Sequence, residues 1–290
     1  MRSETIISAQ NPKIKNLLLL QEKSKARREQ GLFVVEGRRE LRHCLEAGYK
    51  VRTVFVCPEV GDSSEVTDLL RMTKQATCHS EQDTCHSEQA ACHSERSEES
   101  SVIELPEQLY RKVAYRESTE GIIAEVEYKP LKLEDLRLPE NPLIMVLESV
   151  EKPGNLGAVL RSADAARADA VLLCDPLTDL YNPNLIRASI GAVFTVPAVA
   201  CSSEEAIAFL QARGIRILTA QLQDSSLYYD VNMTRGTALV MGTESTGLTD
   251  VWRKAASAHI RIPMLGRLDS LNVSVSAAIL LFEADRQRQG

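Results

Sequence analysis

Five polar side chains stand in three short segments of the 290-residue chain. Asn155 and Arg161 belong to Gly154-Asn155-Leu156-Gly157-Ala158-Val159-Leu160-Arg161, and Glu244 to Gly242-Thr243-Glu244-Ser245-Thr246-Gly247-Leu248. Ser270 and Asn272 lie in Ser270-Leu271-Asn272-Val273-Ser274, just after Ile262-Pro263-Met264. A guanidinium can grip a phosphate with its planar fork, while amide, carboxylate and hydroxyl groups orient neighbours by hydrogen bonds. Two glycines in the middle segment allow backbone to approach a ligand closely. Each segment also has a plain reading. Arg161 sits about 140° round a helix from Leu156, off the apolar stripe of Leu156, Val159, Leu160 and Ala163, where a surface arginine is ordinary. Asn155 can cap that helix, the middle loop can be a tight strand-to-helix turn with Glu244 solvated, and Ser270 or Asn272 can cap the last helix.

The elements around these segments follow a regular order. Apolar strand candidates occur at 143–148, 170–174, 193–196, 215–220, 237–241 and 259–262. Helical stretches lie at about 156–168, 183–190, 203–213, 249–256 and 272–287, the last with Val275, Ala278, Ile279 and Phe282 on one face. Strands alternating with helices predict an α/β fold with a parallel sheet covered on both faces. Ligands of such sheets sit beyond the carboxyl ends of the strands. The three segments follow the first, fifth and sixth strand candidates, so they fall there. A dinucleotide-binding loop is the rival for the first segment, with Asp175 placed like a ribose-binding acid. The required Gly-x-Gly-x-x-Gly is absent.

The front of the chain reads as a second, smaller α/β domain. A basic helix is expected over 11–28, a strand at 32–35, a helix at 38–47 stopped by Gly48, and strands at 51–57 and 121–126. The boundaries are 1–128 for this domain, 129–142 for a proline-rich linker and 143–290 for the larger domain. Net charge is −6, yet residues 1–53 hold twelve Lys or Arg against six Glu. A basic front end suits contact with phosphates, although a solvated helix face has the same composition. The longest early apolar run, Leu17 to Leu20, is too short for a signal peptide core or a membrane span. Seven cysteines, an odd number without secretory context, point to reduced thiols and a cytoplasmic protein.

Residues 77–100 repeat a seven-residue unit, with Cys-His pairs at 78/79, 85/86 and 92/93. Adjacent pairs seven apart do not match zinc-ligand spacing, and few apolar residues are present to hold a site rigid. No metal is expected. The stretch reads as a low-complexity insertion in a surface loop, where extra length has a small entropic cost.

Taken in order, the three segments resemble the signature motifs of the SpoU-type (TrmH-like) RNA 2′-O-ribose methyltransferases of the SPOUT superfamily. The resemblance covers about residues 143–287; the 33–37 and 119–126 stretches are similar to the small substrate-binding domain of many such enzymes. It implies a C-terminal parallel-sheet SPOUT domain with a deep trefoil knot and a homodimer paired through that domain. It also implies methyl transfer from S-adenosyl-L-methionine to a ribose 2′-hydroxyl of rRNA or tRNA, with no DNA or membrane partner. Carried over residue by residue, the catalytic set is Arg161, Asn155, Glu244, Ser270 and Asn272. Gly242, Ile262, Met264 and Leu271 line the cofactor pocket. The alternative from another class is a non-catalytic RNA-binding ribosome-assembly factor that keeps the fold.

Overall fold

The protein is described by a computed structural model covering residues 4–61, 67–69, 71–72, 101–115, 120–243, 246–267 and 270–289. The Cys-His repeat and Glu244 lie outside the described residues. The chain divides into two units. The first holds the residues up to Lys129 together with Tyr181–Pro183, and the second holds the rest.

In the first unit, Asn11 accepts the Lys13 N–H at 2.9 Å and Pro12 opens the first turn, which together start α1 (Pro12–Glu22). Lys23 is extended, so the helix expected over 11–28 is two helices, with α2 running Ser24–Gln30. Arg27 explains the break. It is buried, and its Nη1 donates to the carbonyls of Leu20 and Gln21 at 2.7 and 3.1 Å, groups freed where α1 ends. The strands are β1 (Glu4–Thr5), β2 (Leu32–Glu36), β3 (Val51–Val56), β4 (Ser101–Glu104) and β5 (Ile122–Glu127), ordered β1-β4-β3-β5-β2. β1, β4 and β3 run parallel, and β5 is antiparallel to β3 and β2. Two further helices are α3 (Arg38–Glu46) and α4 (Glu107–Val113), and residues 67–69 and 71–72 are also helical. The strands expected at 32–35, 51–57 and 121–126 are present; β1, β4 and α4 add to that reading.

The second unit is built on seven strands. These are β6 (Leu143–Glu148), β7 (Ala170–Cys174), β8 (Ala198–Cys201), β9 (Arg216–Ala220), β10 (Ser226–Leu227), β11 (Thr237–Met241) and β12 (Ala258–Arg261). Their order is β10-β12-β9-β11-β6-β7-β8, with every pair parallel. All positions of β6, β7 and β11 are buried, as a sheet covered on both faces requires. The helices are α5 (Pro153–Ala165), α6 (Pro183–Ser189), α7 (Ala192–Thr195), α8 (Ser203–Ala212), α9 (Asp250–Ala255) and α10 (Val273–Gln289). One face packs Ile144, Val146, Leu172, Ile217 and Val240 with Trp252 of α9. Leu131, Leu133, Leu136 and Leu138 pack on the same core. On the opposite face, Ala277, Leu280 and Leu281 of α10 are buried against β6 and β11.

One strand expectation fails. Residues 193–196 are not a strand: Ala192–Thr195 is the short helix α7, and the edge strand starts at Ala198. The β-branched run Val193-Phe194-Thr195-Val196 suggests a strand, but Val193, Phe194 and Val196 are buried where α7 packs on α5. Burial overrides the propensity. Pro197, lacking an N–H, sits just ahead of the strand, and its carbonyl takes the Val171 N–H.

Candidate active site

The first motif lies on the opening turns of α5. Pro153 takes the first helical position and Lys152 the cap, so Asn155 is inside the helix and does not cap it. Its side chain turns to the third motif instead: Asn272 Nδ2 donates to Asn155 Oδ1 at 3.2 Å across 117 positions of sequence. Asn272 is the cap of α10, its Oδ1 accepting the Ser274 N–H at 3.0 Å and the Ser274 hydroxyl at 2.6 Å. One residue therefore starts the last helix and ties it to the first motif. Gly157, two residues after Asn155, is where α5 meets the end of α6. A Cβ there would lie 2.5 Å from Ala188 Cβ and 2.7 Å from Ser189 N, so only glycine permits that approach.

Arg161 is exposed and has no hydrogen-bond or ion-pair partner among the described residues. Its side chain clears the buried stripe of Leu156, Val159, Leu160 and Ala163 as the helical spacing predicts. Ser270 is also exposed, beside Leu271 at the entry to α10. The structure thus joins Asn155 to Asn272 directly and leaves Arg161 open to solvent.

The middle motif is a tight loop. Thr243 pairs with Gly247 as an isolated bridge, and Gly247, at φ +67°, donates its N–H to the Thr243 carbonyl at 3.0 Å. Thr243 Oγ1 accepts the Thr246 N–H at 3.1 Å. A Cβ on Gly242 would lie 2.2 Å from the Gly247 carbonyl oxygen and 2.7 Å from Leu248 N. The glycine is required first by the loop's return on itself.

Between this loop, the β12 exit and the start of α10 lies a cavity of about 400 Å³. Gly242, Ile262, Met264 and Leu271 all line it, as does Ser270. Its size falls in the range of about 300–1,000 Å³ typical of small-molecule sites. Met241, Leu248 and Ile260 give it apolar walls, and its polar lining includes Gln221, Arg253 and Arg261. Sequence reasoning missed these three. The signal available for Gln221 was its place just beyond a strand end; a helical arginine such as Arg253 carried no mark.

Asp175 is committed elsewhere. Its carboxylate accepts the Ser203 N–H at 3.3 Å and the Ser203 hydroxyl at 2.6 Å, and Ser203 Oγ in turn accepts from Trp252 Nε1 at 2.9 Å. That network caps α8 and satisfies a buried indole, so the ribose-binding role in a dinucleotide site does not apply. Glu148, buried at the end of β6, likewise accepts the N–H and hydroxyl of Thr249 at 2.9 and 2.5 Å and fixes the start of α9. Among the described residues no group of three or more His, Cys, Asp or Glu is arranged to hold a metal ion.

Comparison with known proteins agrees with this geometry. The SpoU rRNA Methylase family model matches residues 142–282, and an MRM3-like substrate binding domain matches 11–124. The 23S rRNA (uridine(2479)-2′-O)-methyltransferase of Streptomyces viridochromogenes is 28% identical over 289 residues, covering 97% of this chain and 92% of its own length. A crystal structure of an RNA 2′-O ribose methyltransferase is 35% identical, covers 99% of this chain and 100% of its own, and superposes with a TM-score of 0.77. An AdoMet-bound rRNA methyltransferase from Sinorhizobium meliloti is 27% identical, covers 99% and 98%, and gives a TM-score of 0.83. With its loops, its sheet and its front domain all matched along nearly the whole length, the chain belongs to the SpoU rRNA methylase family.

Proposed function

We propose that this protein transfers a methyl group from S-adenosylmethionine (AdoMet) to a ribose 2′-hydroxyl of RNA, with 23S rRNA as the substrate class. The observation that carries the reading is the cavity bounded by Gly242, Ile262, Met264 and Leu271 beside the Asn155–Asn272 tie. The residues fit the cofactor: apolar walls suit an adenine ring, and the close-packed Gly242 loop leaves backbone groups to hold the ribose. An intact site of this kind favours an enzyme over an assembly factor that only binds RNA.

When bound, AdoMet supplies a methyl carbon already activated by its sulfonium. What remains for the protein is to orient the hydroxyl and manage its proton. A guanidinium is a poor base and a planar fork of donors, so Arg161 serves as a bidentate grip on the phosphate beside the target ribose. As the hydroxyl oxygen bonds to the methyl carbon and the sulfur–methyl bond breaks, the 2′-hydroxyl proton leaves to solvent water, with the gripped phosphate as a relay. Asn155, steadied by Asn272, orients the ribose, and Ser270 orders the loop around it. Glu244 completes the set by orienting Arg161. RNA is the substrate because the accepting hydroxyl is absent from DNA.

The knot of the SPOUT fold belongs to this proposal, supported by membership of the family. So does a homodimer through α10. Val275 and Phe282, 47% and 48% exposed, share the outward side of that helix with the half-buried Ala278 and Ile279, whereas Ala277 is buried within its own chain and is unavailable for pairing. A cytoplasmic setting follows from the rRNA substrate; among the described residues no helix is long and apolar enough to cross a membrane.

The test is direct. Calorimetry with S-adenosylhomocysteine should give about one site per chain. Undermodified rRNA from a strain lacking the gene should gain one ribose methyl group when incubated with protein and AdoMet. Cofactor binding without methyl transfer to any cellular RNA would favour the assembly-factor reading instead.

A further inference from the structure

The cofactor cavity has two chemically different sides, and strand alternation separates them. Ile217 packs in the core beneath Trp252, so Thr219 and then Gln221 face that same side of the sheet. β12 is in register with β9, His259 opposite Thr219 and Ile260 opposite Ala220. The Thr219 Oγ1 to His259 Nδ1 hydrogen bond at 2.6 Å places that pair on one side. Arg261, two residues beyond His259, therefore joins Gln221 on the side of α9, the helix that carries Arg253. Val240 also packs with Trp252, so Met241 turns the other way, with Ile260 and the Leu280 of α10.

One side of the cavity is thus apolar and the other cationic. Two arginines line it, and none of its described lining residues is acidic. AdoMet carries a sulfonium and an ammonium, so a pocket for it walled by two arginines is electrostatically unfavourable unless an anionic group faces them. AdoMet has one such group, its α-carboxylate. Both guanidiniums have donors to spare: among the described residues, Arg253 Nη1 has a long contact of 3.5 Å to the exposed Asp250, and Arg261 Nη1 one of 3.4 Å to Ser225 Oγ. Gln221 supplies a second, independent observation. Its Nε2 donates to the Gln223 carbonyl at 2.9 Å, while its Oε1 is enclosed and has no partner among the described residues. A buried acceptor without a donor is unfavourable, and the ammonium beside the carboxylate is a donor of the right kind.

We infer that Arg253 and Arg261 form the amino-acid subsite of the cofactor pocket, gripping the α-carboxylate of AdoMet, with Gln221 accepting from its α-ammonium. The inference rests on the cofactor reading above and adds the residues that distinguish AdoMet from a bare adenosine thioether. An RNA phosphate is the other anion two arginines can take, and the experiment separates the two.

The wild type, Arg253→Ala, Arg261→Ala and Arg253→Lys are titrated with S-adenosylhomocysteine and with 5′-methylthioadenosine, which keeps the nucleoside and thioether and lacks the amino-acid part. Each alanine variant should bind S-adenosylhomocysteine about tenfold or more weakly, as for a lost charge-assisted hydrogen bond, with 5′-methylthioadenosine unchanged. The lysine variant should recover part of the loss, because it keeps the charge without the fork. Equal weakening toward both ligands would overturn the subsite. Unchanged affinity for both ligands together with a raised KM for RNA would assign the arginines to phosphate and overturn it as well. Failure of the wild type to bind either ligand would sink the cofactor reading itself and this inference with it.

Discussion

Arg161 is the residue at which a bland and a functional reading differ most. It is exposed, and among the described residues nothing pairs with it, so its loss should change stability by less than about 0.5 kcal/mol. As the phosphate grip, Arg161→Ala should retain affinity for S-adenosylhomocysteine and lower turnover on undermodified rRNA by about a hundredfold or more. Full activity in that variant would remove Arg161 from the site. Its exposure was legible in the sequence, because helical spacing alone sets it off the Leu156 stripe. The partner of Asn155 was not. A cap and a long-range tie look identical in a Gly-Asn-Leu-Gly string, and only the fold brings residue 272 to it. Gly242 was legible as a close approach, but the group it approaches is the chain's own backbone at Gly247 and Leu248.

At the level of elements, the break between α1 and α2 depends on one buried cation. Arg27→Ala would leave the carbonyls of Leu20 and Gln21 without their donor inside the first unit, a loss of about 2 kcal/mol. Urea unfolding should show it as a lower midpoint. The sequence read this region as one helix because Lys23 and Ser24 interrupt neither periodicity nor propensity; the break comes from a tertiary hydrogen bond. A second prediction concerns β5. Burial pushes the Glu125 carboxyl above its ordinary value, with side-chain hydrogen bonds to Thr53 and Asn16 opposing. An acid whose folded-state pKa exceeds its unfolded value favours the fold at low pH, and that advantage is lost as pH rises through the folded value. Glu125→Gln should therefore raise the thermal midpoint at pH 7 relative to wild type, with a smaller difference at pH 4. A lower midpoint at pH 7 would show that the carboxylate's hydrogen bonds outweigh its burial. The same paired strands show where legibility stopped: β4 is four residues abutting a low-complexity repeat, too short for alternation to register.

For the whole molecule, the repeat and the α10 surface carry the remaining predictions. β3 and β4 are parallel neighbours, so the chain between Val56 and Ser101 must cross over the length of a strand, which needs a dozen or more residues. Deleting 77–98 leaves about twenty, and that variant should fold, bind S-adenosylhomocysteine and methylate RNA nearly as the parent does. Loss of activity together with loss of stoichiometric zinc would show that the Cys-His pairs have a metal role. Sedimentation at micromolar concentration should give a dimer, and Phe282→Asp, on the outward side of α10, should shift it toward monomer. An unchanged dimer in that variant would move the interface to another surface. The overall architecture was legible because strand and helix periods alternate cleanly from 143 onward. The second chemistry of the cofactor cavity was not, since Gln221, Arg253 and Arg261 come from three elements that only the sheet order makes neighbours.

The tie from Asn272 to Asn155 also fixes when the site can exist during synthesis. Asn155 leaves the ribosome long before its partner, and the sheet that holds it can begin to pair in the meantime. The helix that Asn272 caps follows every strand of the second unit, so a nascent protein has that sheet's sequence outside the ribosome before it has an active centre. Contacts closing so long a stretch of sequence form slowly. A protein whose substrate is ribosomal RNA would therefore remain inert toward the ribosome that is making it until α10 has emerged.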